Sequence, residues 1–201
     1  MRVRTDAKRS RILATAASVF LEQGFERASM AEIAARNGGS KATLYGYFRS
    51  KQELFLAVAF AEGEKQVGPA FANLESGVDN IRDSLLRVGE TLIAFLLSPG
   101  AIAAHRMVIS EAGRSDIGRH FYLNGRLKGI NMMAVFLEAA WVAGKIRKAD
   151  FRVAAMHLLS LFESERVGPV MFAIERKAPS RRQIRQSTER AVDVFLAAYG
   201  T

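Results

Sequence analysis

Ser40-Lys41-Ala42-Thr43-Leu44-Tyr45-Gly46-Tyr47-Phe48 decides how this chain is read. A serine in front of a short proline-free run is an N-cap, so the run predicts a helix from Lys41 to about Phe48. Leu44 and Phe48 lie four apart and share a face that Ile33 and Phe20 can anchor. Lys41, Thr43, Tyr45 and Tyr47 fall on other faces. Just upstream, Asn37-Gly38-Gly39 is a turn. Ser29 with Glu32 makes a capping box for a second short helix, Met30 to about Arg36. Two short helices joined by a tight glycine turn and backed by a longer first helix make a helix-turn-helix. In DNA-binding versions the second short helix lies in the major groove.

The surrounding chain follows the same logic. A first helix, about Asp6 to Gln23, presents Ile12, Leu13, Ala16, Ala17, Val19 and Phe20 on one face and stops at Gly24. Ser50 with Glu53 makes a second capping box for a fourth helix, carrying Leu54, Phe55, Val58 and Ala59 and ending near Val67, before Gly68-Pro69. Longer, more apolar helices are predicted at 79–97, 100–112, 116–143, 150–175 and 180–199. Gly144 is a stop and Asp150 a cap, and Gly168-Pro169 predicts a kink or break. Alternating strand patterns are absent, so the fold class is all-α with about nine helices. An N-terminal three-helix domain over 1–52 is followed by a helical domain over 53–201, with the fourth helix, about 50 to 67, linking them.

Composition narrows the chemistry. The chain holds no cysteine, which excludes disulfides, thiolate catalysis and cysteine-ligated metal. His105, His120 and His157 have no metal-ligand spacing among themselves, and no phosphate-cradling glycine loop or nucleophile elbow occurs. The expectation is a non-enzyme with no catalytic residue, no metal and no cofactor. The net charge is +9, and residues 1–51 alone hold 10 Lys/Arg against 4 acids. A surplus concentrated there favours an anionic partner. The basic start lacks an apolar signal core, and the longest uncharged run, Thr91 to His105, is broken by Pro99-Gly100. A cytoplasmic protein with no membrane partner is expected.

Residue types on the short helix suit double-stranded DNA. Thr43 offers a methyl and a hydroxyl to a base edge, and Ala42 and Gly46 let the helix approach the groove. Tyr45 and Lys51 suit phosphate oxygens, as do the free amides of a helix N-terminus. Arg2, Arg4, Lys8, Arg9 and Arg11 form a basic arm that can reach flanking phosphates or a minor groove. A second cluster, Arg176, Lys177, Arg181, Arg182 and Arg185, is expected to be solvated.

The stretch Arg11 to Val58 resembles the DNA-binding domain of the TetR family of transcriptional regulators. The resemblance rests on Ile12-Leu13-Ala14-Thr15-Ala16 with Phe20, Gly24-Phe25, Ser29 to Ala34, Ser40 to Phe48, and Ser50-Lys51-Gln52-Glu53-Leu54. The C-terminal part is similar, more weakly, to the AefR-like subgroup, through Leu96-Leu97-Ser98-Pro99 and Arg106 to Ala112 ahead of Phe121-Tyr122. What the resemblance implies is a homodimer on a palindromic operator, usually a repressor released by a small-molecule effector. It also implies phosphate contacts from Ser29 or Met30, Lys41, Tyr45, Tyr47 and Lys51, and base contacts from Ala42 and Thr43; Ser40 completes this candidate set. Two positions depart from the family pattern. Gly39 stands where an aliphatic residue is common, and Gly46 stands where a larger side chain is common, which removes one potential DNA contact. A non-specific, architectural DNA binder is the alternative.

Two further residue sets are expected in the C-terminal domain. Leu92, Phe95, His105, Met107, Phe121, Asn124, Met132 and Phe136 are candidate lining for a largely apolar effector pocket, mixed with the close-packing or space-making glycines Gly125 and Gly129. Leu158, Leu159, Phe162, Val192, Phe195, Leu196 and Tyr199 form dense apolar stripes. By the family resemblance these would pair with their copies across a two-fold axis.

Overall fold

A computed structural model describes residues 2–74, 78, 80–175 and 177–201, with side chains from residue 6 onward. The helices in chain order are α1 (Arg2–Arg27), α2 (Met30–Arg36), α3 (Lys41–Tyr47), α4 (Lys51–Ala72), α5 (Ile81–Leu96), α6 (Pro99–Glu111) and α7 (Ile117–Phe121). A five-residue π turn (Tyr122–Arg126) follows, then α8 (Leu127–Val142), α9 (Phe151–Ser164), α10 (Val167–Met171) and α11 (Arg181–Tyr199). The fold is all-α. Among the described residues the extended pairing is one isolated bridge, Ile146 to Gly200.

Local chemistry explains most boundaries. Gly24 breaks α1 with φ 78° and ψ 168°, a backbone region open almost only to glycine. Ser29, Ser40 and Asp150 accept the expected cap hydrogen bonds from Glu32, Thr43, and both Arg152 and Val153 backbone N–H groups. The reciprocal halves of the first two capping boxes differ from expectation. The Glu32 carboxylate turns to Gln23 and Arg36, and the Glu53 carboxylate accepts from the Arg49 N–H. The complete capping box is instead Ser180 with Gln183, opening α11.

Three helix ends are corrected. Helix α4 runs through Pro69 to Ala72, because Val67, Phe71 and Leu74 on its inner face are buried. That burial offsets the donor lost at the proline. The stretch 116–143 is not one helix but α7, the π turn and α8. The stretch 150–175 breaks at residues 165–166, just ahead of Gly168-Pro169, leaving the proline in the first turn of α10, where its missing donor costs little.

The chain forms two compact units, residues 1–62 with 103–121, and residues 63–102 with 122–201. Packing therefore does not follow the linear division at residue 52. In the first unit Ile12, Ala16, Val19, Phe20, Ile33, Leu44, Phe48, Leu54 and Phe55 share one core with Ala104, Met107 and Val108 of α6. In the second, α5, α8, α9 and α11 enclose Leu85, Val88, Met133, Leu137, Leu158, Phe162, Val192 and Phe195. Gly89 marks a tight approach between side chains there. A Cβ on it would lie 2.6 Å from both the Phe162 ring and Thr188 Cγ2. Gly129, expected to mark close packing or ligand space, has nothing within 4 Å of such a Cβ.

Candidate nucleic-acid interface

Helix α3 is held from below. Leu44 and Phe48 are each 2% exposed and join Ile33 and Phe20 in the first core. The turn ahead of it is a Schellman motif: the Gly39 N–H bonds the Ala34 carbonyl at 3.1 Å, and the Gly38 N–H bonds that of Ala35 at 3.1 Å. Gly38 occupies the left-handed position, φ 70°, that the motif demands. Gly39 follows it without the apolar side chain that usually packs back on such a helix end.

With its inner face buried, α3 turns Lys41, Ala42, Tyr45 and Gly46 to solvent. Ser40 and Ser29 are also exposed at the two helix starts. Thr43 is half-buried, and its hydroxyl lies 3.0 Å from Ser40 Oγ, which also accepts from the Thr43 N–H at 3.1 Å. The hydroxyl is thus engaged locally. Tyr47 is half-buried against the first core. Around Gly46 an added Cβ would meet nothing within 4 Å.

Two expected contact residues have other duties. Met30 is 7% exposed, because the capping geometry rotates it into the core, so its thioether is not presented to solvent. Lys51 donates to the Phe25 carbonyl at 2.8 Å and to that of Glu26 at 3.1 Å, and its ammonium sits 4.3 Å from the Phe25 ring centroid. The ring packs on Phe55, and Phe55 packs edge-on against Phe20. Lys51 therefore closes the carbonyl end of α1, a role that a separation of 26 residues hides in the sequence.

A charged clamp joins α1 to α2. Arg36 bonds Glu22 at 2.7 Å and Glu32 at 2.8 Å, and Gln23 donates to Glu32 at 2.7 Å. The Arg36 hydrogen bond holds the Glu22 carboxyl below the usual carboxylate range. Of the basic arm, the Arg2 and Arg4 side chains lie outside the described residues. Arg9 is exposed and stands 5.4 Å from the Phe48 ring centroid, beside the end of α3.

The expected effector lining is divided. Leu92, Phe95, Met132 and Phe136 gather on the second core, where Phe95 lies against the bare backbone of Gly63; Asn124, on the π turn, is exposed. His105, Met107 and Phe121 belong to the first unit, where His105 meets Phe121 edge-on at 4.9 Å. A separate open cleft of about 270 Å³ between α4 and α5 is lined by Ala70, Asn73, Leu74, Ser84, Arg87, Glu90 and Thr91.

The expected dimer stripe needs correction. Leu158, Leu159, Phe162, Val192 and Phe195 are 0–5% exposed within the single chain, so their surface is consumed by its own core. Leu196 and Tyr199 are half-buried, and Tyr199 Oη lies 2.7 Å from His157 Nδ1. What α9 and α11 show to solvent includes Val153, His157, Ser160 and Ser164 on one, and Val194, Ala197 and Ala198 on the other, alongside Arg152 on α9 and Arg185, Gln186, Arg190 and Asp193 on α11. Small residues of this kind permit close helix approach, and only three-dimensional packing separates them from the core positions beside them.

Comparison with known proteins bears on this geometry. Residues 12–58 match the family model for bacterial regulatory proteins of the tetR family, and residues 83–201 match the C-terminal domain of AefR-like transcriptional repressors. The chain is 37% identical over 95 residues to the HTH-type transcriptional activator FasR of Mycolicibacterium smegmatis, covering 47% of this chain and 43% of FasR, less than half that relative's length. It is 38% identical over 146 residues to an HTH-type transcriptional regulator of Mycobacterium bovis, covering 71% and 67% of the two chains. A TetR-family regulator of Mesorhizobium loti MAFF303099 superposes with a TM-score of 0.83 at 25% identity, over 98% of this chain and 99% of that one.

Proposed function

The chain belongs to the TetR family of transcriptional regulators, and from that premise we propose that it is a homodimeric repressor, released from a palindromic operator by a small, largely apolar molecule. The observation that carries this reading is α3 itself, with Leu44 and Phe48 locked in the core while Lys41, Ala42 and Tyr45 stand exposed. A helix so fixed presents a rigid face to the major groove. Thr43 joins it as a base contact through its methyl, because its hydroxyl is committed to Ser40. Ser29, Ser40, Lys41, Tyr45 and Tyr47 take phosphates, with Arg9 beside them.

In this reading residues 1–52 bind DNA and residues 53–201 dimerise and bind the effector. Two copies meet through the outer faces of α9 and α11, at Val153, His157, Ser160, Val194 and Ala197. An operator read by two such domains has half-sites about one helical turn apart. The effector acts by binding the released state more tightly than the bound one.

The resemblance to FasR, named as an activator, favours a second reading in which the bound protein raises transcription. One experiment tests both. The DNA flanking the protein's coding region is footprinted with excess unrelated competitor at about 150 mM salt, and transcription from that fragment is measured with and without the protein. A protected near-palindrome with falling transcript supports the repressor. The same footprint with rising transcript supports the activator. Uniform coating that competitor removes supports the architectural alternative.

A further inference from the structure

The chain between α3 and α4 is short and held at both ends. Phe48 closes α3 with an extended backbone, φ −139° and ψ 118°, and is only 2% exposed. Successive side chains of an extended chain point to opposite sides, so a buried Phe48 sends its neighbour outward. Arg49 is exposed accordingly. Its N–H donates to Glu53 Oε2 at 2.7 Å, and the Glu53 N–H donates to Ser50 Oγ at 3.0 Å. The first turn of α4 therefore fixes the backbone that carries the Arg49 side chain.

Arg9 comes to the same place from α1. It is exposed, and its Cζ lies 5.4 Å from the Phe48 ring centroid. Arg49 is bonded directly to the residue that carries that ring, with Cα atoms about 3.8 Å apart. Two guanidiniums are thus rooted around one buried phenyl group. Among the described residues neither forms an ion pair with a carboxylate. Of the four acids between residues 20 and 60, Glu22 and Glu32 bond Arg36 and Glu53 bonds the Arg49 backbone. Like charges gathered without acids raise the local potential, and an arriving anion relieves it.

Lys51, two residues further on, is in the opposite position. Two of the three donors of its ammonium go to the Phe25 and Glu26 carbonyls, and the charge sits over the Phe25 ring. We infer that Arg49, in place of Lys51, takes a DNA phosphate at the junction of α3 and α4, and that Arg9 grips the same stretch of DNA backbone from across Phe48. A guanidinium suits this task, because its planar fork can hold two phosphate oxygens at once. The inference rests on the DNA-binding reading above and extends it. Helix α3 is seven residues long, about 10 Å. Ser40 and Lys41 hold phosphates at its start, and the two arginines hold them at its end. Contacts at both ends set the register in which Ala42, Thr43 and Tyr45 meet the groove between them.

Fluorescence anisotropy over a series of salt concentrations tests the pair. The probes are a labelled duplex from the DNA flanking the coding region, long enough for two half-sites, and a random duplex of the same length. Losing one phosphate contact flattens log K against log salt by about one unit and weakens binding about fivefold at about 150 mM salt. Arg49→Gln is expected to show both changes on either duplex. Combining it with Arg9→Gln should double the change in slope. Arg49→Lys should keep the slope of the wild type and bind more weakly, because the charge stays and the fork is lost. The thermal midpoint of Arg49→Gln should match the wild type, which separates a lost contact from a damaged fold. An unchanged slope in Arg49→Gln, or the same flattening in Lys51→Met, overturns the assignment and leaves the DNA-binding reading standing. A wild type that binds neither duplex at low salt overturns both.

Discussion

Lys51 and Phe25 meet twice at the end of α1: the ammonium donates to the Phe25 carbonyl at 2.8 Å and lies 4.3 Å from the centre of its ring. A residue at the start of α4 thereby seals the Phe25 and Glu26 carbonyls left open where the first helix ends at Arg27. Its charge is engaged by protein before any nucleic acid arrives.

That geometry separates two roles for Lys51. A lost phosphate contact flattens the dependence of log K on log salt by about one unit. We expect Lys51→Met to leave that slope unchanged, and to lower stability by about 1–2 kcal/mol through the lost charge-assisted bonds and ring contact. Fluorescence anisotropy at four salt concentrations, with thermal denaturation alongside, measures both. A slope smaller by one with unchanged stability would return Lys51 to the phosphates.

Thr43 is expected to work through its methyl group. Thr43→Val keeps that group and gives up a hydroxyl already bonded to Ser40, so operator affinity should stay within about threefold. Thr43→Ser removes the methyl and should cost about 1 kcal/mol or more at a thymine it touches. Competition binding with single-base operator variants reads the difference. Equal loss from both substitutions would mean that the hydroxyl is the reading group.

Packing makes opposite predictions for two helical glycines. Gly89→Ala forces a methyl against the Phe162 ring and Thr188, both buried, and should destabilise by about 1–3 kcal/mol. Gly129→Ala meets open space and should stabilise by up to about 1 kcal/mol. Urea denaturation of the two variants beside the wild type checks the pair; a neutral Gly89→Ala would mean that α5 can draw back from α9 and α11.

Acid should loosen the clamp between α1 and α2. Arg36 holds the Glu22 carboxyl below its ordinary range, so the folded state favours the ionised form. That contribution is present above the unfolded carboxylate range and disappears as the pH falls through the lower folded value. Stability of the wild type and Glu22→Gln should therefore converge on acidification, and also in molar salt, because the pair is exposed. A gap that stays constant down to pH 2 would remove the ion pair as its cause.

What was legible in the sequence was local. Ser29, Ser40 and Asp150 are read from a few neighbouring residues, and the structure places those caps as the spacing requires. The inner anchors Leu44 and Phe48 follow from helical period alone. The rest depends on contacts between distant residues. Nothing near Phe162 or Val192 says whether an apolar stripe faces its own core or a second chain. Nothing near Lys51 points to a carbonyl 26 positions away. Helix α4 crosses Pro69 because of burial that only the assembled fold supplies. The complete capping box at Ser180 and Gln183 was within reach, since serine followed three places later by glutamine is its signature.

The bare surface at Gly46 has a consequence for the history of such genes. A Cβ added there meets nothing within 4 Å, so an alanine fits without displacing a neighbour and firms up the helix that carries it. After a duplication, a single codon on this exposed face of α3 can change while the buried anchors Leu44 and Phe48 stay as they are. If α3 reads the operator as proposed, lineages descended from this chain can vary that face at little cost to the fold they inherit.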